Sequence, residues 1–111
     1  MFFVYGLASI PTVLGGDWPA FRGPKGDGTC EARIRTDWAT NPPKVLWRKG
    51  AAHNFRDGLS SIAVSGGRVF TLVKRSVGGS NQEVCIALNA ETGAELWATP
   101  LGQARYDGGA N

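Results

Sequence analysis

The sequence is poor in the residues that most enzymes use for acid–base and metal chemistry. It has one histidine and two cysteines in 111 residues. Cys30 and Cys85 stand in neither a C-x-x-C nor a metal-ligand spacing. They could pair in an oxidising compartment, although Cys85 lies in an apolar run where a free cysteine acts as a small hydrophobe. His53 lies in a polar connection, where a solvated loop side chain is the expected state.

The motifs of common active sites are also missing. The sequence contains no P-loop, no G-x-G-x-x-G after a strand, no H-E-x-x-H and no G-x-S-x-G nucleophile elbow. Its loop aspartates do not form a D-x-[DN]-x-[DN]-G calcium loop. The Asp-Gly pairs at 27–28 and 57–58 have the composition of turns. The sequence therefore predicts no catalytic, cofactor-binding or metal-binding residue in this chain.

Concentrated charge and long hydrophobic runs are scarce as well. The net charge is +3, and the basic residues are scattered in pairs, so a nucleic-acid partner is not expected. The apolar run 1–16 is too short to cross a bilayer, which takes about 20 apolar residues. It has the composition of a signal-peptide remnant, with an abrupt change at Asp17, and an apolar N-terminal strand is the alternative. No transmembrane span is expected.

Glycine, proline and tryptophan are abundant: the chain has 16 Gly, 6 Pro and 4 Trp. This composition predicts many turns, short strands and an all-β class. We expect a hairpin turn at 65–67, a loose loop over 75–82 and a polar connection over 50–58. The predicted strands are Val45–Lys49, which stands apart, and an antiparallel set of four: Ser60–Val64, Arg68–Lys74, Glu83–Leu88 and Glu95–Pro100.

The stretch 87–97 reads A-L-N-A-E-T-G-A-E-L-W, a strand, a turn and a returning strand. It resembles the tryptophan-docking repeat of PQQ-type (quinoprotein) β-propellers, roughly A-x-D-x-x-T-G-x-x-x-W, with Asn in place of Asp. In that family the tryptophan packs between neighbouring blades, and the polar groups of the turn brace it. The residues that fall on the pattern are Ala87, Asn89, Thr92, Gly93 and Trp97.

The stretch 17–24, D-W-P-A-F-R-G-P, predicts an ordered irregular loop in which Trp18 and Phe21 are the apolar anchors. It resembles the opening of bacterial PQQ-like repeat proteins, as do Trp38 and the P-K-V-L-W segment that follow. Membrane-linked quinoprotein dehydrogenases open similarly, but they continue with R-Y-S-P-L, where this chain has T-C-E-A-R-I-R. The motif consists of Asp17, Trp18, Pro19, Phe21, Arg22, Gly23 and Pro24.

An internal repeat supports the same architecture. Leu46-Trp47 recurs as Leu96-Trp97, a displacement of 50 residues (97 − 47), and the Asp-Gly pair at 57–58 recurs at 107–108. Such a period is typical of solenoids and propellers. We therefore expect one four-stranded antiparallel blade of a PQQ-like β-propeller of about seven or eight blades, of which this chain is an N-terminal fragment. The expected divisions are a signal remnant at 1–16, an irregular loop region at 17–44, and the first blade with the start of the next repeat at 45–111.

The resemblance implies a binding or scaffold module of a periplasmic, outer-membrane-associated or secreted bacterial protein. Its expected partners are the remaining blades of the same chain and other envelope proteins. A PQQ-dependent alcohol or sugar dehydrogenase is the alternative, with PQQ and Ca²⁺ held by the full-length protein and no cofactor in this fragment. A kelch-type interaction propeller is the second alternative. One blade leaves its apolar faces and edges uncovered, so the chain alone should be marginally folded or aggregating.

Overall fold

The computed structural model describes residues 16–55 and 60–105. Most of the apolar run 1–16, and the Asp-Gly pairs at 57–58 and 107–108, lie outside the described residues. A short 3₁₀ helix, Ala51–His53, precedes four strands: β1 (Ala63–Ser65), β2 (Arg68–Val77), β3 (Ser80–Asn89) and β4 (Glu95–Gln103). They form one antiparallel sheet in the order β1-β2-β3-β4. The predicted all-β class and four-stranded meander are confirmed.

Two Gly-Gly turns set the register of the sheet. Gly66-Gly67 joins β1 to β2 with φ values of 55° and 73°, and Gly78-Gly79 joins β2 to β3 with φ values of 60° and 82°. Two successive positive φ angles are the geometry of the tight hairpin turn whose twist matches that of paired strands. The hairpin turn at 65–67 is confirmed, whereas the loose loop over 75–82 is wrong. Because glycine adopts both angles without a steric penalty, the turn needs only two residues. Strand β2 therefore extends to Val77, and β3 begins at Ser80.

The first strand begins three residues later than predicted, at Ala63 and not at Ser60. At Ser60 the side-chain hydroxyl, and not the backbone, bonds to β2. Its Oγ accepts the Leu72 N–H at 2.8 Å and lies 2.8 Å from the Thr71 hydroxyl. Regular pairing with β2 begins only at Ala63, which lies opposite Phe70. A serine hydroxyl that bonds nearby backbone competes with the ladder in this way.

The apolar core lies on one face of the sheet, where side chains of β2 and β3 alternate inward. Val73 pairs with Val84, and Ile86 and Leu88 follow along β3. All four are buried, and Ile86 is fully inaccessible. Partly buried side chains complete the cluster from the same strands and from the segment before the sheet: Trp47, Phe55, Val69 and Val77.

The other regions carry little regular structure. Apart from a single bridge at Trp18, no residue between 16 and 50 belongs to a helix or strand. The predicted strand Val45–Lys49 is therefore wrong, because no strand of the described sheet pairs with it and its tryptophan side chain holds it instead. Cys30 is exposed, Cys85 is half-buried in β3, and both are free. No helix in the described ranges is long and apolar enough to cross a membrane.

Candidate docking site

The β3–β4 turn is braced by its own polar side chains. Asn89 Oδ1 accepts the N–H groups of Glu91 at 2.9 Å and Thr92 at 3.0 Å, which makes an Asx-type turn. Thr92 Oγ1 accepts the Ala94 N–H at 3.2 Å. The backbone closes the loop, since the Gly93 N–H donates to the Asn89 carbonyl at 2.8 Å. The asparagine therefore supplies the turn's acceptor in the place where the repeat pattern has aspartate.

Trp47 docks on this turn. Its indole Nε1–H donates to the Ala90 carbonyl at 2.9 Å, across 43 positions of sequence. The ring lies against Gly93, where a Cβ would stand 2.6 Å from Trp47 Cδ2 and 2.8 Å from Cγ. Gly93 has a φ of 69°, so both its backbone angle and the ring above it favour a residue without a side chain. Trp47 is therefore held on the turn in two ways: its ring packs on Gly93, and its indole N–H is hydrogen-bonded to the Ala90 carbonyl.

The structure brings three of the pattern residues together and leaves the fourth and fifth elsewhere. Asn89, Thr92 and Gly93 form the turn, while Ala87 is buried in β3 opposite Trp97 of β4. The centre of the Trp97 ring lies 6.1 Å from that of Phe70. The tryptophan on the turn is the one that stands 50 residues earlier. The signal that identifies it is the repeat of Leu-Trp at 46–47 and 96–97.

The N-terminal motif lies against the opposite edge of the sheet. Asp17 and Trp18 contact the β1–β2 hairpin, and the Trp18 ring covers Gly23. The prediction that Phe21 is an anchor is wrong, because 78% of it is exposed. Of the two aromatic residues only Trp18 anchors the loop, since its ring covers Gly23 while Phe21 is exposed. Pro19, Arg22 and Pro24 are exposed on the same loop.

An ion pair braces the start of β4. Arg75 donates from Nη2 to Glu95 Oε2 at 2.7 Å and from Nη1 to Oε1 at 3.0 Å, and its guanidinium lies 5.9 Å from the centre of the Phe55 ring. These hydrogen bonds hold the pKa of Glu95 below its usual 4.5, against the opposing effect of burial, with the positive charges of Arg75 and Lys49 adding to the effect. The carboxylate is therefore kept ionised at mildly acidic pH.

The lowered pKa predicts a small loss of stability in acid. Because the folded-state pKa lies below the unfolded one, the contribution is present above about pH 4.5 and is lost as pH falls through the folded-state pKa. Glu95→Gln should remove that part of the pH dependence, worth less than about 1 kcal/mol for a pair whose carboxylate is solvent-exposed. Urea unfolding between pH 3 and 7 measures it.

Glu91→Gln is the matched control, because Glu91 lies in the same hairpin and its carboxylate has no ion-pair partner in the described part of the chain. The assignment fails if the two variants show the same pH profile.

Side chains that ligate metal ions do not cluster in the described part of the chain. Within 16–55 and 60–105, no group of three or more His, Cys, Asp or Glu side chains is placed to hold a metal ion. A Ca²⁺ ion takes six to eight oxygen ligands, with carboxylates prominent among them, and the described residues bring no such group of carboxylates together.

A cavity of about 340 Å³ opens beside the docked tryptophan, between the segment 47–55 and the core face of the sheet. Its apolar walls include Phe55, Ile62, Val69 and Leu88, and Arg48, Lys49 and Thr71 also line it. Apolar walls of this kind suit side chains of a packed neighbour better than a charged ligand. The cavity therefore extends the docking site along the core face.

Comparison with known proteins adds no relative. No protein-family model matches the chain, and neither a curated protein nor a solved structure matches it. The class that the fold itself defines is an all-β protein built on one open, four-stranded antiparallel sheet.

Proposed function

We propose that this chain is a repeat module of a PQQ-like β-propeller, acting as a non-catalytic binding or scaffold part of a secreted or cell-envelope bacterial protein. The observation that carries the proposal is the docking of Trp47 on the β3–β4 turn, with its Nε1–H on the Ala90 carbonyl at 2.9 Å and its ring on Gly93. The turn of this site is built by Asn89, Thr92 and Gly93, three of the five residues that resemble the tryptophan-docking repeat.

The internal repeat extends this contact beyond one sheet. Trp97 occupies the position of Trp47 one period later, lies in β4 and is 43% exposed. Its indole nitrogen makes no hydrogen bond within the described residues. Moving the Trp47 contact forward by one period places Trp97 on the turn of a following sheet of the same type. In this arrangement the β3–β4 turn of the module binds Trp47, and Trp97 of the module binds the turn of the next one.

The uncovered surface of the sheet supports the same role. Every residue of β4 is exposed, and the large apolar side chains Leu96 and Leu101 are among them. Repeat units bury such surfaces against their neighbours, and an isolated unit has nothing to pack on. We therefore infer that the function of this module is to pack against neighbouring modules, and that its partners are further blades.

An array of repeat units tests the proposal. We suggest chains that carry one, two or three copies of residues 45–94 ahead of residues 95–111, because this unit spans one period. Stability measured by thermal circular dichroism should rise with each added copy, as nearest-neighbour packing requires. The matched control is the same array with Trp47→Ala in every copy, which should lose most of the gain. A single chain that melts cooperatively as a monomer, with no gain from added copies, would contradict the proposal.

The competing dehydrogenase function is tested on a complete propeller that contains this module, because that alternative places PQQ and Ca²⁺ in the full-length protein and not in this fragment. Equilibrium dialysis against PQQ, with and without Ca²⁺, should detect no retained quinone if the module is part of a scaffold. Retention that depends on Ca²⁺ would favour the PQQ-dependent dehydrogenase over the scaffold.

A further inference from the structure

The first edge of the sheet is not open. Strand β1 is an edge strand of three residues, and edge strands present unpaired N–H and C=O groups to which another chain can add. Here Trp18 pairs with Val64 in an antiparallel bridge. The N–H of each residue donates to the carbonyl of the other at 2.8 Å. The middle residue of β1 therefore has its outward backbone groups satisfied from within the chain.

Asp17 ties the same segment to the β1–β2 turn. Its Oδ1 accepts the Gly66 N–H at 3.1 Å, and its Oδ2 accepts the Ser65 hydroxyl at 3.0 Å. Hydrogen bonds to an ionised acceptor are stronger than neutral ones. The carboxylate thus closes the end of the edge that the backbone bridge does not reach.

Close packing of the Trp18 ring on Gly23 holds the bridging residue in position. A Cβ on Gly23 would lie 2.8 Å from Trp18 Cη2 and Cζ3, and Gly23 has a φ of 77°. The loop below the ring is closed by the Gly23 N–H on the Ala20 carbonyl at 2.9 Å and the Gly28 N–H on the Arg22 carbonyl at 2.8 Å. Trp18 is therefore held from the side chain as well as from the backbone.

Pro19 prevents the bridge from becoming a new edge. In an antiparallel pair the residues that flank a bridging residue direct their backbone groups away from the partner strand. Pro19 follows Trp18 and has no N–H to direct outward. Proline is one of the devices that keep an edge from accepting a further strand.

We propose that residues 17–23, which we name the edge clip, close the β1 edge against strand addition by a second copy of this chain. The exposed β4 edge of one copy is the available competitor for the β1 edge of another. Such a head-to-tail contact does not close on itself and grows into open fibres. The clip restricts association to the β4 edge and to the faces of the sheet, and it rests only on contacts within residues 17–66.

The test compares Asp17→Ala and Gly23→Ala in the full chain with Phe21→Ala, an exposed position of the same segment. Hydrogen exchange of the Val64 amide reports the bridge, and the Ile86 amide in the core pair of β2 and β3 is the internal reference. We expect exchange at Val64 to rise about tenfold in the first two variants, as loss of a hydrogen-bonded contact implies. Sedimentation velocity should show their self-association beginning at lower concentration, with Phe21→Ala unchanged in both readouts.

Two results would overturn the clip. The Val64 amide is not held by it if exchange there stays slow in both variants. If exchange at Val64 rises while self-association is unchanged, the clip does not protect the β1 edge against strand addition. Where a variant also loses protection at Ile86 it has unfolded. Ser65→Ala, which removes one of the two Asp17 bonds, then carries the same comparison.

Discussion

Replacing Gly93 with alanine is expected to expel Trp47 from the β3–β4 turn and to cost about 3 kcal/mol or more of folding free energy. The new Cβ would meet three atoms of the indole at 2.6, 2.8 and 2.9 Å, at a backbone φ of 69°. The left-handed angle alone costs roughly 1–2 kcal/mol in an L-residue. The larger part of the loss comes from a tryptophan that can no longer pack or reach the Ala90 carbonyl.

Gly67→Ala separates the two contributions. Gly67 has a φ of 73° and no atom within 4 Å of an added Cβ, so it carries the backbone penalty without the clash. Urea unfolding followed by circular dichroism, in a stabilising osmolyte, measures both variants. Fluorine NMR of fluorotryptophan-labelled protein should show the Trp47 resonance moving only in Gly93→Ala. Equal losses with an unmoved resonance would show that the ring does not depend on Gly93.

Ile86→Ala should have the second largest effect, a loss of about 2–5 kcal/mol, because it opens a cavity at the centre of the core face. Ile86 is fully inaccessible and lies among Val73, Val84 and Leu88. One module alone is expected to be only marginally folded, because it has no neighbour to pack on. A loss of this size should therefore leave the variant largely unfolded in buffer without denaturant, with the β-sheet circular dichroism signal lost.

Ile62→Ala removes the same atoms from a side chain that is 57% exposed. Exposed substitutions usually change stability by no more than about 0.5 kcal/mol. Similar losses in the two variants would show that the burial of Ile86 is not what stabilises the sheet.

The arrangement of β-strands could be predicted from local signals. Alternating apolar residues over 68–74 and 83–88 identify two central strands, and the Gly66-Gly67 pair identifies the turn before them. These features depend on side-chain period and on backbone freedom at glycine, both of which are properties of neighbouring residues. The Gly78-Gly79 pair is the same kind of turn signal. The prediction of a loose loop around it made the two predicted central strands shorter than β2 and β3.

The contacts that hold segments outside the sheet required the tertiary structure. Val45–Lys49 has strand-like residues but no strand pairs with it in the described part of the chain, so its role follows from where Trp47 docks. Trp18 and Phe21 look equivalent as aromatic anchors, yet one covers Gly23 and the other faces solvent.

By itself the sequence determined that this chain makes a four-stranded antiparallel sheet, because alternation and turn chemistry act between residues close in the chain. It also marked the Asn89–Gly93 turn and the 50-residue recurrence of Leu-Trp. Only the tertiary structure decided which tryptophan occupies that turn and which side chains close the β1 edge. Those choices join residues more than 40 positions apart, such as Trp47 with Ala90 and Asp17 with Gly66. They depend on the shape of the folded sheet, which no local pattern encodes.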